Sequence, residues 1–365
     1  MIAKSHDRNH HTADIRYLTT RDTMTTLKDI SKALNLSVTT VSRALNGFPE
    51  VNEQTRELVM QAAREMNYQP NQFARKLVTG QSGMVGIVQQ ASPELSSNPC
   101  FIEVITGISQ HLSTYNKHFI LHVSTGSDVM TTYQQLVARR ILDGFILTEP
   151  ARHDPRIALL LDKDIPFVVH GRSPEREDYP YFDIDNYQVG CDLTQHLLDL
   201  GHKRIAFING PAQLGFASER YRGFADVLAA HGLSANPVLV HHGLMLESVG
   251  FQAAQTMLER SPTERPTAFI CSNTLLVTGL MSALEQAGLS VPHDVSVVAH
   301  DDKITGWRRL PETLTATLSP LSDASQPLAE ILVKRIAGEP LEALQRVVRA
   351  PLLIKGTSAP PAPTS

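Results

Sequence analysis

Cysteine is scarce: 365 residues contain three, Cys100, Cys191 and Cys271, far apart and without a CxxC pair. That spacing argues against a disulfide scaffold, a zinc site and a dithiol redox motif, and it fits a reducing compartment. No apolar run approaches the roughly 18 residues that a membrane span requires. Residues 1–23 are polar, with His6, His10 and His11 but no apolar signal core, so a cytoplasmic protein with a disordered N-terminal extension (1–24) is expected. Met24 stands just before Thr25-Thr26-Leu27 and is the expected start of translation. Nor is there a cationic surplus: the net charge is −4, so any affinity for nucleic acid must come from local placement of cations. GxSxG, GxxxxGK, HExxH and GxGxxG are all missing. Asp301-Asp302 beside His300 makes a poor acid/base pair, because adjacent side chains diverge at a strand end. Neither an enzyme, nor a cofactor, nor a metal site is expected.

What is present begins at Leu27. Leu27, Ile30, Ala33 and Leu34 repeat at helical spacing, and Asn35-Leu36-Ser37 interrupts them. Ser37 suits the N-cap of a second helix, Val38–Asn46, with Val41, Ala44 and Leu45 inward and Gly47 ending it. Asn52 can cap a third, with Leu58, Val59, Ala62, Ala63 and Met66 as its buried stripe. Two short helices joined by a tight turn and locked by a third make a helix-turn-helix. On the second helix Val38, Thr39, Thr40, Ser42 and Arg43 face outward: small apolar and hydroxyl groups where base edges are read, and a cation where phosphate is met. A surface helix of an ordinary helical domain is the plain alternative.

After Tyr68-Gln69-Pro70, Asn71 can cap a single turn ending at Leu77 and carrying Arg75 and Lys76. A turn this short is unstable alone, which suits a helix that forms on DNA and wedges Leu77 into the minor groove. From Met84 the pattern changes to alternating apolar strands and amphipathic helices. It runs to His170, restarts at Gly190 and continues to Ala299. Two doubly wound parallel halves enclose a cleft, and ligands in such sheets bind beyond the carboxyl ends of the strands. There lie Asn98, Phe101, Gly171, Arg172, Asp185, Arg220, Asn273 and Asp301. Arginine, asparagine and aspartate pair with vicinal hydroxyls, and Phe101 or Trp307 would cover a pyranose face. Each residue alone would equally serve as a cap or a loop pin. A helix over Leu321–Ala337 returns to the first half, and a strand over Val347–Ile354 ends in the second. Residues 357–365, rich in Pro, Ala and Ser, read as a disordered tail without leucine heptads, so a dimer is the default.

The ordered series Thr26-Leu27, Asp29-Ile30, Val41-Ser42-Arg43-Ala44-Leu45-Asn46, Thr55-Arg56, Asn67-Tyr68-Gln69-Pro70-Asn71, Ala74-Arg75 and Leu77 resembles the headpiece and hinge of the lactose-repressor/galactose-repressor (LacI/GalR) family. The likeness continues through Asp185-Asn186, Leu200–Ala206, Glu219-Arg220, Gly223-Phe224, Val291-Pro292, Asp294–Val298, Asp301-Asp302 and Leu314–Thr317, the effector-binding core. It implies a transcriptional repressor whose core is similar to periplasmic sugar-binding proteins. It also implies a pseudo-palindromic double-stranded operator, a homodimer and no membrane partner. DNA contacts are then expected from Leu27, Ser37, Val38, Thr39, Thr40, Ser42, Arg43, Asn46, Thr55, Tyr68, Asn71, Ala74, Arg75 and Leu77. The positions of Arg220, Asn273 and Asp301 match effector contacts, although Thr274 replaces the family's usual acidic residue.

The implied organisation is an all-α reader at 25–70, a hinge at 71–83 and an α/β core at 84–356. The first subdomain spans 84–182 and 319–346, the second 183–318 and 347–356. A sugar inducer for carbohydrate-utilisation genes is the leading expectation. A purine-type corepressor, and a sugar receptor without a DNA role, are the alternatives.

Overall fold

The structure, a computed structural model, describes residues 25–68, 81–91, 99–125, 128–301 and 313–362. The chain divides into two compact units, residues 1–79 and 80–365. The expected extension (1–24) and residues 71–80 of the expected hinge lie outside the described residues.

Among the described residues the first unit holds three helices, α1 (Leu27–Leu34), α2 (Val38–Leu45) and α3 (Glu53–Glu65). Asp29 Oδ2 accepts from Thr26 N at 2.9 Å and Thr26 Oγ1 at 2.6 Å, closing the first turn of α1. Asn35 at φ +52° ends it, a left-handed residue of the kind asparagine tolerates. Ser37 Oγ accepts from Thr40 N at 3.0 Å and Asn52 Oδ1 from Thr55 N at 2.8 Å, so both expected caps form. Ile30, Val41, Ala44, Val51, Val59, Ala62 and Ala63 make the core. Leu58, expected inside, is 49% exposed. It stands one residue before Val59, and 100° of rotation carries it off the buried face.

Among the described residues the second unit contains two six-stranded sheets. The first has the order β11-β5-β4-β3-β1-β2, built from β1 (Met84–Gln90), β2 (His118–Ser124), β3 (Gly144–Thr148), β4 (Phe167–His170), β5 (Tyr181–Ile184) and β11 (Gln345–Val348). The second has the order β12-β10-β9-β8-β6-β7, built from β6 (Ile205–Asn209), β7 (Val240–His242), β8 (Ala268–Cys271), β9 (Ser296–Asp301), β10 (Thr315–Leu318) and β12 (Leu352–Leu353). All pairings are parallel except β10 with β12.

Helices cover both faces of each sheet, as buried strands such as Phe167-Val168-Val169 require. Around the first sheet lie α4 (Pro99–Thr114) and α11 (Ser325–Ile336) on one side, α5 (Val129–Arg139) and α6 (Pro155–Asp162) on the other. The second has α7 (Asn186–Asp199) with α8 (Gly215–Ala230), and α9 (Glu247–Leu258) with α10 (Thr274–Gln286).

Helix pairs on the second sheet approach closely at glycines. A Cβ on Gly190 would lie 2.1 Å from Arg220 O, and one on Gly223 2.2 Å from Tyr187 O. Gly250 and Gly279 make the equivalent crossing between α9 and α10.

The chain passes between the lobes after β5, after β10 and between β11 and β12. This moves the expected subdomain boundaries. Asp183 and Ile184 belong to the first sheet, and so do Val347 and Val348. The strand expected over Val347–Ile354 is two strands in two sheets, parted at Pro351, which has no N–H for a ladder.

The tail corrects a second expectation. Val297 N donates to Thr357 O at 2.8 Å and Thr357 Oγ1 to Val297 O at 2.7 Å. Ser358 Oγ lies 2.9 Å from His196 Nε2, and Ala359 N donates to Ser296 Oγ at 3.0 Å. Residues 357–359 are thus ordered on the second lobe, because the starts of β9 and β10 offer partners that local composition does not reveal. Among the described residues no helix is long and apolar enough to cross a membrane, and no group of His, Cys, Asp and Glu could hold a metal ion.

Candidate functional site

On α2 the side chains divide into those that build the turn and those that face outward. Ser37 and Thr40 are tied to each other, with hydroxyls 2.8 Å apart, and Asn46 Nδ2 donates to Ser42 O at 2.8 Å. Val38, Thr39 and Arg43 are exposed, Val38 at 39%. An exposed valine at the N-terminal end of a helix, flanked by a threonine and an arginine, fits the floor of a major groove. Leu27 and Tyr68 instead pack against the three-helix core, and Thr55 is half-buried in the first turn of α3. Arg56, not singled out from the sequence as a site residue, donates through Nη2 to Phe48 O (3.1 Å) and Val51 O (3.3 Å). It pins the loop between α2 and α3. Asn71, Ala74, Arg75 and Leu77 lie outside the described residues, as do Asn98 and Trp307.

In the second unit a continuous polar chain crosses from one lobe to the other. Arg172, just past β4, donates from Nε to Asp183 Oδ2 at 3.0 Å. Asp183 Oδ1 accepts from Ile184 N (2.8 Å) and Asn186 Nδ2 (3.0 Å). Asn186 Oδ1 accepts from Arg220 Nε at 2.8 Å, and Arg220 Nη1 donates to Ser272 O at 2.5 Å. Ser272 Oγ then reaches Asn209 Oδ1 at 2.5 Å. Arg220 is only 6% exposed and lies on the Phe216 ring, 5.2 Å from its centroid. Burial pushes the Asp183 carboxyl up to about 6, against the pull of Arg172. His300 is buried, bonded through Nδ1 to Thr317 Oγ1 at 3.0 Å. Burial, with Arg220 nearby, holds it well below the usual imidazole range.

Four of the expected effector residues, Gly171, Asp185, Asn273 and Asp301, stand next in sequence to Arg172, Asn186, Ser272 and His300. Asp185 caps α7, its Oδ1 accepting from Gln188 N at 3.0 Å. Asn273 caps α10 by accepting from Leu276 N at 2.9 Å and extends Nδ2 toward Met245 O at 3.4 Å. Gly171, at φ +104°, allows Pro150 to approach within 3.0 Å of where a Cβ would stand. Asp301 is half-buried at the end of β9 beside His300, and Phe101 half-buried in α4. Arg220 sits in the second turn of α8, not at a strand end as expected, and reaches back to the strand ends through its length.

Asp183, Ser272 and Asn209 were not foreseen, and Asn186 entered only within the Asp185-Asn186 stretch of the family likeness. Recognising β5 as a strand would have exposed Asp183, since a buried acid in a four-residue strand calls for a partner. An open groove on the first lobe is lined by charges already paired among themselves, Arg152 and His153 with Glu175, and Arg176 with Asp178.

Two sequence profiles match. That of the bacterial regulatory proteins of the lacI family covers residues 26–71. That of the periplasmic binding proteins and sugar binding domain of the LacI family covers 83–331. The chain belongs to the LacI family. Among its LacI-family relatives is the HTH-type transcriptional regulator AglR of Rhizobium meliloti (strain 1021), 38% identical over 92% of this chain and 94% of AglR. A solved complex of the regulator CelR with cellobiose matches at 28% identity with a TM-score of 0.66, over 91% of this chain and 99% of that one. The lac repressor dimer bound to operator and an anti-inducer shares the fold at a TM-score of 0.73 and 24% identity, over 92% of this chain and 99% of that one. A LacI-family regulator with an N-terminal helix-turn-helix and a two-sheet core is therefore what the chain encodes.

Proposed function

We propose that this LacI-family regulator is a homodimeric repressor of carbohydrate-utilisation genes, cytoplasmic and without catalytic activity, released from a pseudo-palindromic operator by a sugar. The observation that carries the reading is the pair of arginines, Arg172 from one lobe and Arg220 from the other, joined by a buried polar chain where the strands of both sheets end. Planar guanidinium groups with carboxamide and carboxylate neighbours match the vicinal hydroxyls of a saccharide. The alignment with a cellobiose-bound regulator over most of both chains supports a carbohydrate. On the DNA side, Val38 and Thr39 read bases, Arg43 meets phosphate, and Leu77, outside the described residues, is the expected contact to the central minor groove.

The test starts by selecting an operator from randomised palindromic duplexes, then following its release by fluorescence anisotropy during titration with mono- and disaccharides. Release by one sugar, with loss of response in Arg220→Ala, is expected. A chain with no preference for any palindrome removes the regulator reading. Tightening by a purine base makes the ligand a corepressor instead.

A further inference from the structure

Asp183 is the third residue of β5 in the first sheet, and Asn186 opens α7 in the second lobe, so only Ile184 and Asp185 separate them across the first crossover. We infer that Asp183 and Asn186 are a positioning pair that aligns Arg172 and Arg220 on a single ligand and does so only at one angle between the lobes. This deepens the effector reading above and rests on it.

The chain of bonds has a direction. Asp183 Oδ2 takes Arg172 Nε at 3.0 Å, leaving Oδ1 to accept from Asn186 Nδ2 at 3.0 Å. A carboxylate oxygen only accepts, so the NH2 end of Asn186 has to face it and the carbonyl end has to face Arg220 Nε, 2.8 Å away. Turning the amide over would set NH2 against N–H at Arg220 and oxygen against oxygen at Asp183. With Nη1 also held by Ser272 O, the plane of the Arg220 guanidinium is fixed.

The Asp183–Asn186 bond bridges the pivot itself. Rotation of the backbone at Ile184 or Asp185 that opens the lobes lengthens this bond and uncouples the two arginines. Burial strengthens the arrangement, since both Asp183 and Arg220 are 6% exposed and their partners cannot be replaced by bulk water without opening the site. Neither residue needs to touch the ligand. Both act through the arginines.

The test uses the full chain and two readouts. Arginine Nε–H resonances, assigned by Arg172→Lys and Arg220→Lys, report alignment without any ligand. Asn186→Ala is expected to shift the Arg220 Nε–H signal and speed its solvent exchange at least tenfold while leaving Arg172 in place. Asp183→Asn is expected to disturb both. In parallel, cellobiose, maltose, melibiose and sucrose are screened by thermal shift, and the sugar that stabilises the wild type is titrated by calorimetry. Both variants are expected to bind it at least tenfold more weakly while still selecting the operator over random duplex.

An unmoved Arg220 signal in Asn186→Ala, or sugar affinity within twofold of wild type in either variant, overturns the positioning role. If Asp183→Asn does not fold, Asn186→Ala decides alone. Should no sugar stabilise the wild type, the effector reading fails while the resonances still report on alignment.

Discussion

The Asn273 side chain accepts from Leu276 N at 2.9 Å and donates toward Met245 O at 3.4 Å, so it caps a helix at the place where it was expected to meet effector. The two duties separate by substitution. Asn273→Ser keeps a capping oxygen and is expected to unfold within a few tenths of a kcal/mol of wild type in urea while losing effector affinity. Asn273→Ala is expected to lose about 1 kcal/mol as well. Equal effector affinity in Asn273→Ser and wild type would reduce Asn273 to its cap.

A second prediction concerns protons. His300, His202 and His170 are all pushed below the ordinary imidazole value of 6.5, burial being the largest cause in each and His170 falling to about 4. The unfolded chain takes up protons below pH 6.5 that these folded imidazoles refuse, so stability falls with pH in that window. Asp183 works in the opposite sense. Its folded value of about 6 lies above the ordinary aspartate value of 3.8, and its neutral form stabilises the fold on acidification between those limits. With His196 and His241 also lowered by burial and Glu149 also raised by it, five histidines against two carboxyls predict a lower urea midpoint at pH 5.5 than at 7.5, and a narrower gap in His300→Gln. A midpoint that rises on acidification would contradict the signs.

At the scale of elements, the reader helix and the glycine crossings yield separate predictions. Val38→Ala and Thr39→Ala are expected to relax preference at single base steps by about 1–3 kcal/mol, whereas Arg43→Ala weakens all duplexes alike and lowers the salt slope. Binding to an operator series with single base changes distinguishes them. Uniform losses for Val38 and Thr39 would place α2 outside the groove. At the crossing of α7 and α8, Gly190→Ala sets a methyl against Arg220 O, a backbone atom that cannot swing aside. It is expected to cost about 1–3 kcal/mol and to displace Arg220 from Ser272, weakening effector binding together with stability. An unchanged urea midpoint would count against so tight a packing.

These elements also mark how much the sequence discloses. Ser37, Asn35 and Asn52 announce the headpiece helices because capping is local, and the two parallel halves follow from their alternating rhythm. β5 and β10 stayed hidden. Each has four residues, and Asp183, Thr315 and Thr317 read as loop polarity although all are buried. The partners that make such burial tolerable are distant in sequence: Arg172 for Asp183, Thr357 Oγ1 for the Thr315 N–H, and His300 for Thr317. The same distance hid the docking of the tail. For the candidate site, the family likeness pointed to Arg220, Asn273 and Asp301. The carboxylate and carboxamide connecting Arg220 to Arg172 depended on a crossover whose position the sequence marks only within a few residues.

For the whole molecule, control of DNA by a sugar requires an angle between lobes that the ligand changes. Beyond the crossovers, the lobes meet at an isolated antiparallel bridge between Ala151 and Leu214, with Arg152 N donating to Gln213 O at 3.1 Å and Gly215 N to Pro150 O at 2.9 Å. At Gly215 the lobes approach closely, and a Cβ there would lie 2.0 Å from Arg172 O. Bonds flanking the pair on both sides make 151 and 214 a non-hydrogen-bonded pair, with Cα atoms about 4.5 Å apart, within reach of a disulfide.

In Ala151→Cys/Leu214→Cys, oxidation then locks one angle. Coupling between effector and operator, typically about 1–3 kcal/mol, should vanish because neither ligand can select the other angle. Reduction should restore it. Burial pushes Cys191 and Cys271 away from the reactive thiolate, and the third native thiol is removed as Cys100→Ser so that it cannot compete. Operator titrations with and without sugar, before and after reductant, measure the effect in one protein. If the oxidised protein is released by sugar as readily as the reduced one, the lobes need not move for control, and the hinge bond between Asp183 and Asn186 carries no signal.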